Sequence, residues 1–142
     1  STRPDYINGE ILDILSRYSV KTIELGLQTI HESTSKLINR CHSLEQFDSM
    51  VKKLRQMHIN VVVHIINGLP YETKDMMIET VKFFNELGID GIKIHMLHVL
   101  KNTKLADIYD KEKFHILTKE EYVEIKNGEF KKVVALILLP NI

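Results

Sequence analysis

Glu24, Gly26 and Gln28 stand two residues apart in "IELGLQ", and Arg40 follows Gln28 by twelve positions in "INR". In a strand, two-residue spacing puts all three on one side of the sheet. A glutamine amide both donates and accepts, which suits the vicinal hydroxyls of a sugar. A guanidinium is a planar fork matched to a carboxylate. Gly26 projects no side chain, so a ligand can approach the backbone there. Together these residues describe a site for a molecule carrying a ribose and an acid group. The competing reading makes Gln28 a backbone cap and Arg40 a surface charge.

Two further strand ends carry polar residues at the same spacing, His64-Ile66-Gly68 and Lys93-His95-Leu97. His64, His95 and Glu24 have the donor types of a metal site, although a strand histidine is also ordinary hydrogen-bonded packing. His95 and His98 fall on opposite faces of a regular strand and form no chelate. "GLPYET" reads as a strand-to-helix turn with Glu72 beside a helix N-terminus. Cys41 has only His42 as a neighbouring base and reads as inert. No paired carboxylates, G-x-x-x-x-G-K or G-x-G-x-x-G occur, which removes the usual glycosidase and nucleotide-loop signatures.

Alternating strands and helices must position these residues. Pro4 biases Arg3 toward extended backbone, so "STRPD" reads as a strand tail or loop. "NGEILDILSRY" has helical spacing, with Asn8 as N-cap. "VKTIELGLQ" is a β-rich run, and Ser43 with Gln46 forms a capping box for the stripe Leu44, Phe47, Val51, Leu54. The near-continuous apolar run in "INVVVHIING" predicts a strand buried on both faces. Thr73 caps a helix facing inward through Met77, Val81, Phe84 and Leu87, and Gly88 stops it. "GIDGIKIHMLHVL" is a third strand, and Thr118 with Glu121 opens a last helix. This order implies parallel βαβ units with right-handed crossovers. Three strands cannot close a barrel, so the expectation is either an open sheet or a segment of something longer, and a start on a strand end favours the segment.

The 142 residues suit one small domain or part of a larger one. Nineteen Lys and Arg balance nineteen Asp and Glu, so charge indicates neither nucleic acid nor an acidic membrane as a partner. A single cysteine excludes an internal disulfide and suits a reducing cytoplasm. One thiol cannot hold a zinc or iron–sulfur centre by itself. No secretory leader opens the chain, and its longest apolar run, Val133 to Leu139, is too short to span a bilayer. A cytoplasmic protein is expected. That apolar run and an open first strand also predict self-association through a sheet edge.

The stretches "STRPD", "IELGLQT", "INRCH", "HIINGLPYET" and "DGIKIHMLHVLKNTKLADIY" jointly resemble the radical SAM superfamily. The closer resemblance is to a bacterial branch of Fe–S oxidoreductase type, akin to elongator-type and coproporphyrinogen-oxidase-type enzymes. It runs from Ser1 to about Ile125, leaving 126–142 as a divergent tail. The resemblance implies an α/β fold that is part of a (β/α)6 TIM-like barrel, about strands three to six. It implies two cofactors, S-adenosylmethionine (SAM) and a [4Fe–4S] cluster, and reductive cleavage of SAM to a 5′-deoxyadenosyl radical acting on a substrate it leaves open. Gln28 then matches the amide on the SAM ribose, and Arg40 the partner of the SAM carboxylate. Ile66 matches the apolar residue under adenine, and Gly68-Leu69-Pro70 the fifth-strand glycine turn. Thr2 and Arg3 match a strand end lining the SAM cavity, with Glu24 on the same side as Gln28. The family's CxxxCxxC is absent, so the cluster is expected from an upstream segment, and the chain alone is expected to be inactive. Cys41 stands where glycine is expected, and Asn67 and Tyr71 are unusual beside the turn. The alternatives are a metal-dependent hydrolase built on Glu24, His64 and His95, or a non-catalytic binding remnant.

Overall fold

"NVVVHIIN" forms the middle strand of a three-stranded parallel sheet in the computed structural model, which describes residues 1–129. The elements run α1 (Gly9–Arg17), β1 (Thr22–Gln28), α2 (Glu32–Leu37), α3 (Leu44–Gln56), β2 (Asn60–Asn67), α4 (Lys74–Leu87), β3 (Gly91–Met96), α5 (Lys104–Glu112) and α6 (Lys119–Glu129). Strand order is β1-β2-β3. Gly26 lies opposite His64, His64 opposite Lys93, and Ile66 opposite His95. Helical crossovers between parallel neighbours give the α/β architecture expected of a partial barrel.

One sheet face is the core. Leu25, Leu27, Val61, Val63, Ile65, Ile92 and Ile94 are buried there against α3 and α4, which contribute Phe47, Val51, Leu54, Val81 and Phe84. Phe47 and Phe84 meet edge-on at 5.9 Å, a favoured aromatic geometry. The other face is only half-buried, and β2 alternates residue by residue. Burial on both faces, expected from its continuous apolar run, is therefore not what the structure has. Val61, Val63 and Ile65 face the helices, while Val62, His64 and Ile66 face the inside of the partial barrel, where three strands leave the surface open.

The caps read from sequence form. Asn8 accepts from Ile11 N–H, Ser43 and Gln46 close a reciprocal box, and Thr73 accepts from Met76 N–H. Thr118 accepts from Glu121 N–H while Glu121 accepts from Thr118 N–H. Gly88 ends α4 at φ 70°, in the left-handed region that costs glycine little. "STRPD" begins as a strand end, with Thr2 bridging parallel to Leu25. The third strand stops at Met96, so Leu97 and His98 lie beyond it, and α2 and α5 add helices that periodicity did not reveal. α6 continues into the segment read as a tail, and the run Val133 to Leu139 lies outside the described residues. Among the described residues, no helix is long and apolar enough to cross a membrane.

Candidate functional site

At the carboxyl ends of β1 and β2 the chain opens into a cavity of about 510 Å³. Four residues expected at a cofactor site line it: Arg3, Gln28, Arg40 and Ile66. Thr2, Glu24 and Gly68 are not in its lining.

Gln28 gets there through an irregularity. The β1–β2 register slips between Gly26 and Gln28, and Gln28 takes φ 68°, an uncommon conformation for a residue with a Cβ. A bulge re-aims the side chain that follows it. The amide Nε2 folds back to 2.7 Å from where a Gly26 Cβ would stand, so Gly26 makes room for Gln28. At Gly68 the space is taken by the protein itself. Its φ of 87° suits the turn, and the Leu117 side chain lies 3.1 Å from its would-be Cβ.

Arg40 is placed by the end of α2. Asn39 adopts the left-handed conformation at φ 55°, while Arg40 N–H donates to the Ser35 carbonyl and Asn39 N–H to that of Lys36. These are the paired bonds of a Schellman turn. The guanidinium then ties down the strand end: Nη1 donates to the Thr29 carbonyl at 2.5 Å and to that of Leu27 at 3.3 Å, and Nε donates to the His42 carbonyl at 3.0 Å. Arg40 is thus neither a surface charge nor wholly free for a ligand. Burial lowers its pKa, with Glu32 opposing, and a guanidinium stays charged in proteins.

Among the described residues, the buried side-chain polar atoms that make no direct hydrogen bond are Arg40 Nη2 and both ring nitrogens of His42, the latter with looser neighbours in Asp5 and the Gly26 backbone. Both residues line the same cavity. Unpaired buried polar atoms cost roughly 1–3 kcal/mol each, and a polar ligand would relieve that cost. His42, whose side chain is 1% exposed, has Asp5 Oδ1 at 3.7 Å from Nδ1. Burial holds its pKa below 6.5, as does Arg40, against a smaller pull from Asp5. In the sequence His42 stands beside Cys41 and closes the R-x-H of "INRCH", with no role of its own indicated there. Cys41 is exposed and donates to the Asn39 carbonyl at 3.2 Å.

Glu72 stands directly before Thr73, the cap of α4, and its carboxylate reaches across to the turn after β1. Thr29 Oγ1 donates to its carboxylate at 2.5 Å and itself accepts from His31 N–H. Burial raises the Glu72 pKa, opposed by the Thr29 and Thr34 hydroxyls. The turns after β1 and β2 are locked together by this contact, and the cavity lies against them.

Glu24, His64 and His95 do come together, in a linear chain. His64 Nε2 lies 2.8 Å from Glu24 Oε2, His95 Nε2 lies 3.0 Å from His64 Nδ1, and Lys93 Nζ pairs with Glu24 Oε1. An ammonium on the carboxylate and a direct ring-to-ring hydrogen bond occupy the donors a metal would need. Among the described residues no three His, Cys, Asp or Glu side chains are arranged to hold a metal.

Residues 1–84 match the Radical SAM superfamily, and residues 89–128 the Radical_SAM C-terminal domain. The chain is 45% identical over 128 residues to the protein YtqA of Bacillus subtilis (strain 168), covering 88% of this chain and 40% of YtqA. The fold is similar to that of Methanocaldococcus infernus Elp3 with an N-terminal deletion, at TM-score 0.84 and 24% identity, over 96% of this chain and 33% of that one. It is also similar to Escherichia coli coproporphyrinogen III oxidase (HemN), at TM-score 0.69 and 19% identity, over 89% of this chain and 29% of that one. The chain spans about 40% of the length of YtqA. With a parallel sheet, a strand-end cavity and a sequence match over more than half its length, this chain belongs to the radical SAM superfamily.

Proposed function

We propose that this chain is the SAM-positioning half of a radical SAM barrel, about strands three to six. One observation carries the reading: Arg40 and His42, which hold buried nitrogens without a hydrogen bond, line one cavity together with Gln28 and Ile66. The residue types fit SAM. Arg40 Nη2 is a charged donor for the carboxylate, Gln28 suits the ribose hydroxyls, and Ile66 offers an apolar surface to adenine. Leu69 and Leu97, buried beside it, exclude water from the apolar side.

A [4Fe–4S] cluster does not fit this chain alone, because it has one cysteine, and that cysteine is exposed. In this reading the cysteines belong to another part of the protein. When bound, SAM with such a cluster supplies homolytic cleavage to a 5′-deoxyadenosyl radical, and the cofactor carries that chemistry. This chain's own residues bind and orient SAM.

Calorimetric titration of SAM into the cluster-loaded full-length protein tests the site. Truncating one partner of a desolvated charge pair costs about 2–5 kcal/mol, so Arg40→Ala should weaken SAM binding by roughly 30- to 5,000-fold. Gln28→Ala loses neutral hydrogen bonds worth about 0.5–1.5 kcal/mol, roughly tenfold at most. Arg40 also holds three carbonyls, so thermal melts must show that each variant is folded. Folded Arg40→Ala and Gln28→Ala proteins that bind SAM like the wild type would remove the assignment.

A further inference from the structure

Lys93, Glu24, His64 and His95 form an array on the barrel-facing side of the sheet, and none of them lines the SAM cavity. They lie on three adjacent strands: Glu24 on β1, His64 on β2, Lys93 and His95 on β3. These are the titratable groups that the three strands turn to that side. The hydrogen bonds dictate where the protons sit. Lys93 and His64 hold the Glu24 pKa below 4.5, so near neutral pH the carboxylate only accepts. His64 Nε2 must therefore donate across the 2.8 Å contact. A neutral His64 then has a bare Nδ1, and His95 Nε2 must donate to it at 3.0 Å. His95 Nδ1 is left as a lone pair with no partner among the described residues. The two ring planes are inclined by 24° with centroids 5.0 Å apart, and the Nε2-to-Nδ1 contact of 3.0 Å is the route a proton would take between them.

We propose that this array is an acid–base site whose open end, His95 Nδ1, exchanges a proton with an N–H or O–H group of a substrate held against the barrel face. That a substrate sits on this face rests on the radical SAM reading; the proton order within the array does not. In the forward direction the substrate's X–H bond breaks, its electron pair stays on X, and the proton bonds to His95 Nδ1. The His95 Nε2 proton passes to His64 Nδ1. The positive charge ends on the His64 imidazolium beside Glu24, and His95 is left neutral in its opposite tautomer. His95 itself resists the charge, because burial lowers its pKa and His64 and Lys93 add to that, with Glu24 opposing. Lys93 stabilises the ionised form of Glu24 and so keeps the proton on the imidazole pair. Lys93 is a positioning residue here, as is Glu24.

The proton order is read by 15N NMR of histidine-labelled full-length protein. At the neutral end both His64 and His95 should be protonated at Nε2. Acidification should then bring one joint step, in which His64 becomes doubly protonated while the His95 proton moves to Nδ1. An independent step that makes His95 the doubly protonated ring overturns the proposal. Removing an opposite charge this close moves a pKa by ~1–3 pH units, so Glu24→Gln should lower the joint midpoint by that much, and an unmoved midpoint also overturns it. On the unmodified protein, diethyl pyrocarbonate, which acylates neutral imidazole nitrogen, should modify His95 ahead of His64; the reverse order counts against the array. Arg40→Ala should keep the wild-type tautomer pattern even where SAM binding is lost, so failure of the SAM site and failure of this array are separable.

Discussion

Gln28 shows how a single residue can keep its side of a sheet through an irregular backbone. Period two puts it beside Glu24 and Gly26, and despite the register slip and a φ of 68° its Nε2 lies 2.7 Å from where a Gly26 Cβ would stand, on that same side. Glu72 is the other residue whose setting matters more than its type. Its pKa lies above 4.5 because of burial, so the folded state holds the proton longer than the unfolded chain does. The stability this group contributes is full below about pH 4.5 and is lost as pH rises through the folded value. Glu72→Gln keeps an acceptor for Thr29 and removes the ionisation. Relative to wild type, the variant should gain stability as pH climbs above 4.5 and through the folded value, then hold a constant difference. Melting temperatures of the full-length proteins across that range check it, and parallel curves would contradict it.

At the scale of elements, the turn that ends α2 aims the site. Asn39 holds a left-handed conformation that a β-branched side chain adopts poorly. Asn39→Val should destabilise the full-length protein by about 1–2 kcal/mol in urea unfolding, and should weaken SAM binding as well because Arg40 follows the turn directly. Asn39→Gly should be tolerated on both counts. Equal stability of the valine variant would mean the Schellman turn does not set the position of Arg40. The long helices were legible because their caps and stripes agree: Ser43 with Gln46 before Phe47, Val51 and Leu54, and Thr73 before Met77, Val81 and Phe84. α2 and α5 were not. Six and nine residues long, with no buried apolar stripe, they show only local signals, such as Thr103 accepting from Ala106 N–H.

At the scale of the whole molecule, the sheet is open on both sides among the described residues. Beyond β1 only Thr2 pairs, through one bridge to Leu25, and β3 has no further neighbour among the described residues. Unpaired strand edges invite association. The isolated 142-residue chain should therefore form dimers or larger species whose mass rises with concentration in sedimentation experiments. A single monomeric species across the concentration series would show that the edges are protected. What the sequence determined by itself was local or periodic: the three strands, the major caps, the parallel α/β order, and the residue types of "ELGLQ", "INR" and "GLP". Such features depend on neighbours within a few positions, so they survive in a linear reading. Only the tertiary structure decided which of them meet. It put Gln28 in the cavity lining and Glu24 outside it, and bound Arg40 to backbone carbonyls of Leu27 and Thr29. It exposed the need of His42 for a partner, and it joined Lys93 to Glu24, sixty-nine residues away. Those outcomes turn on register between strands and on desolvation, which no window of sequence contains.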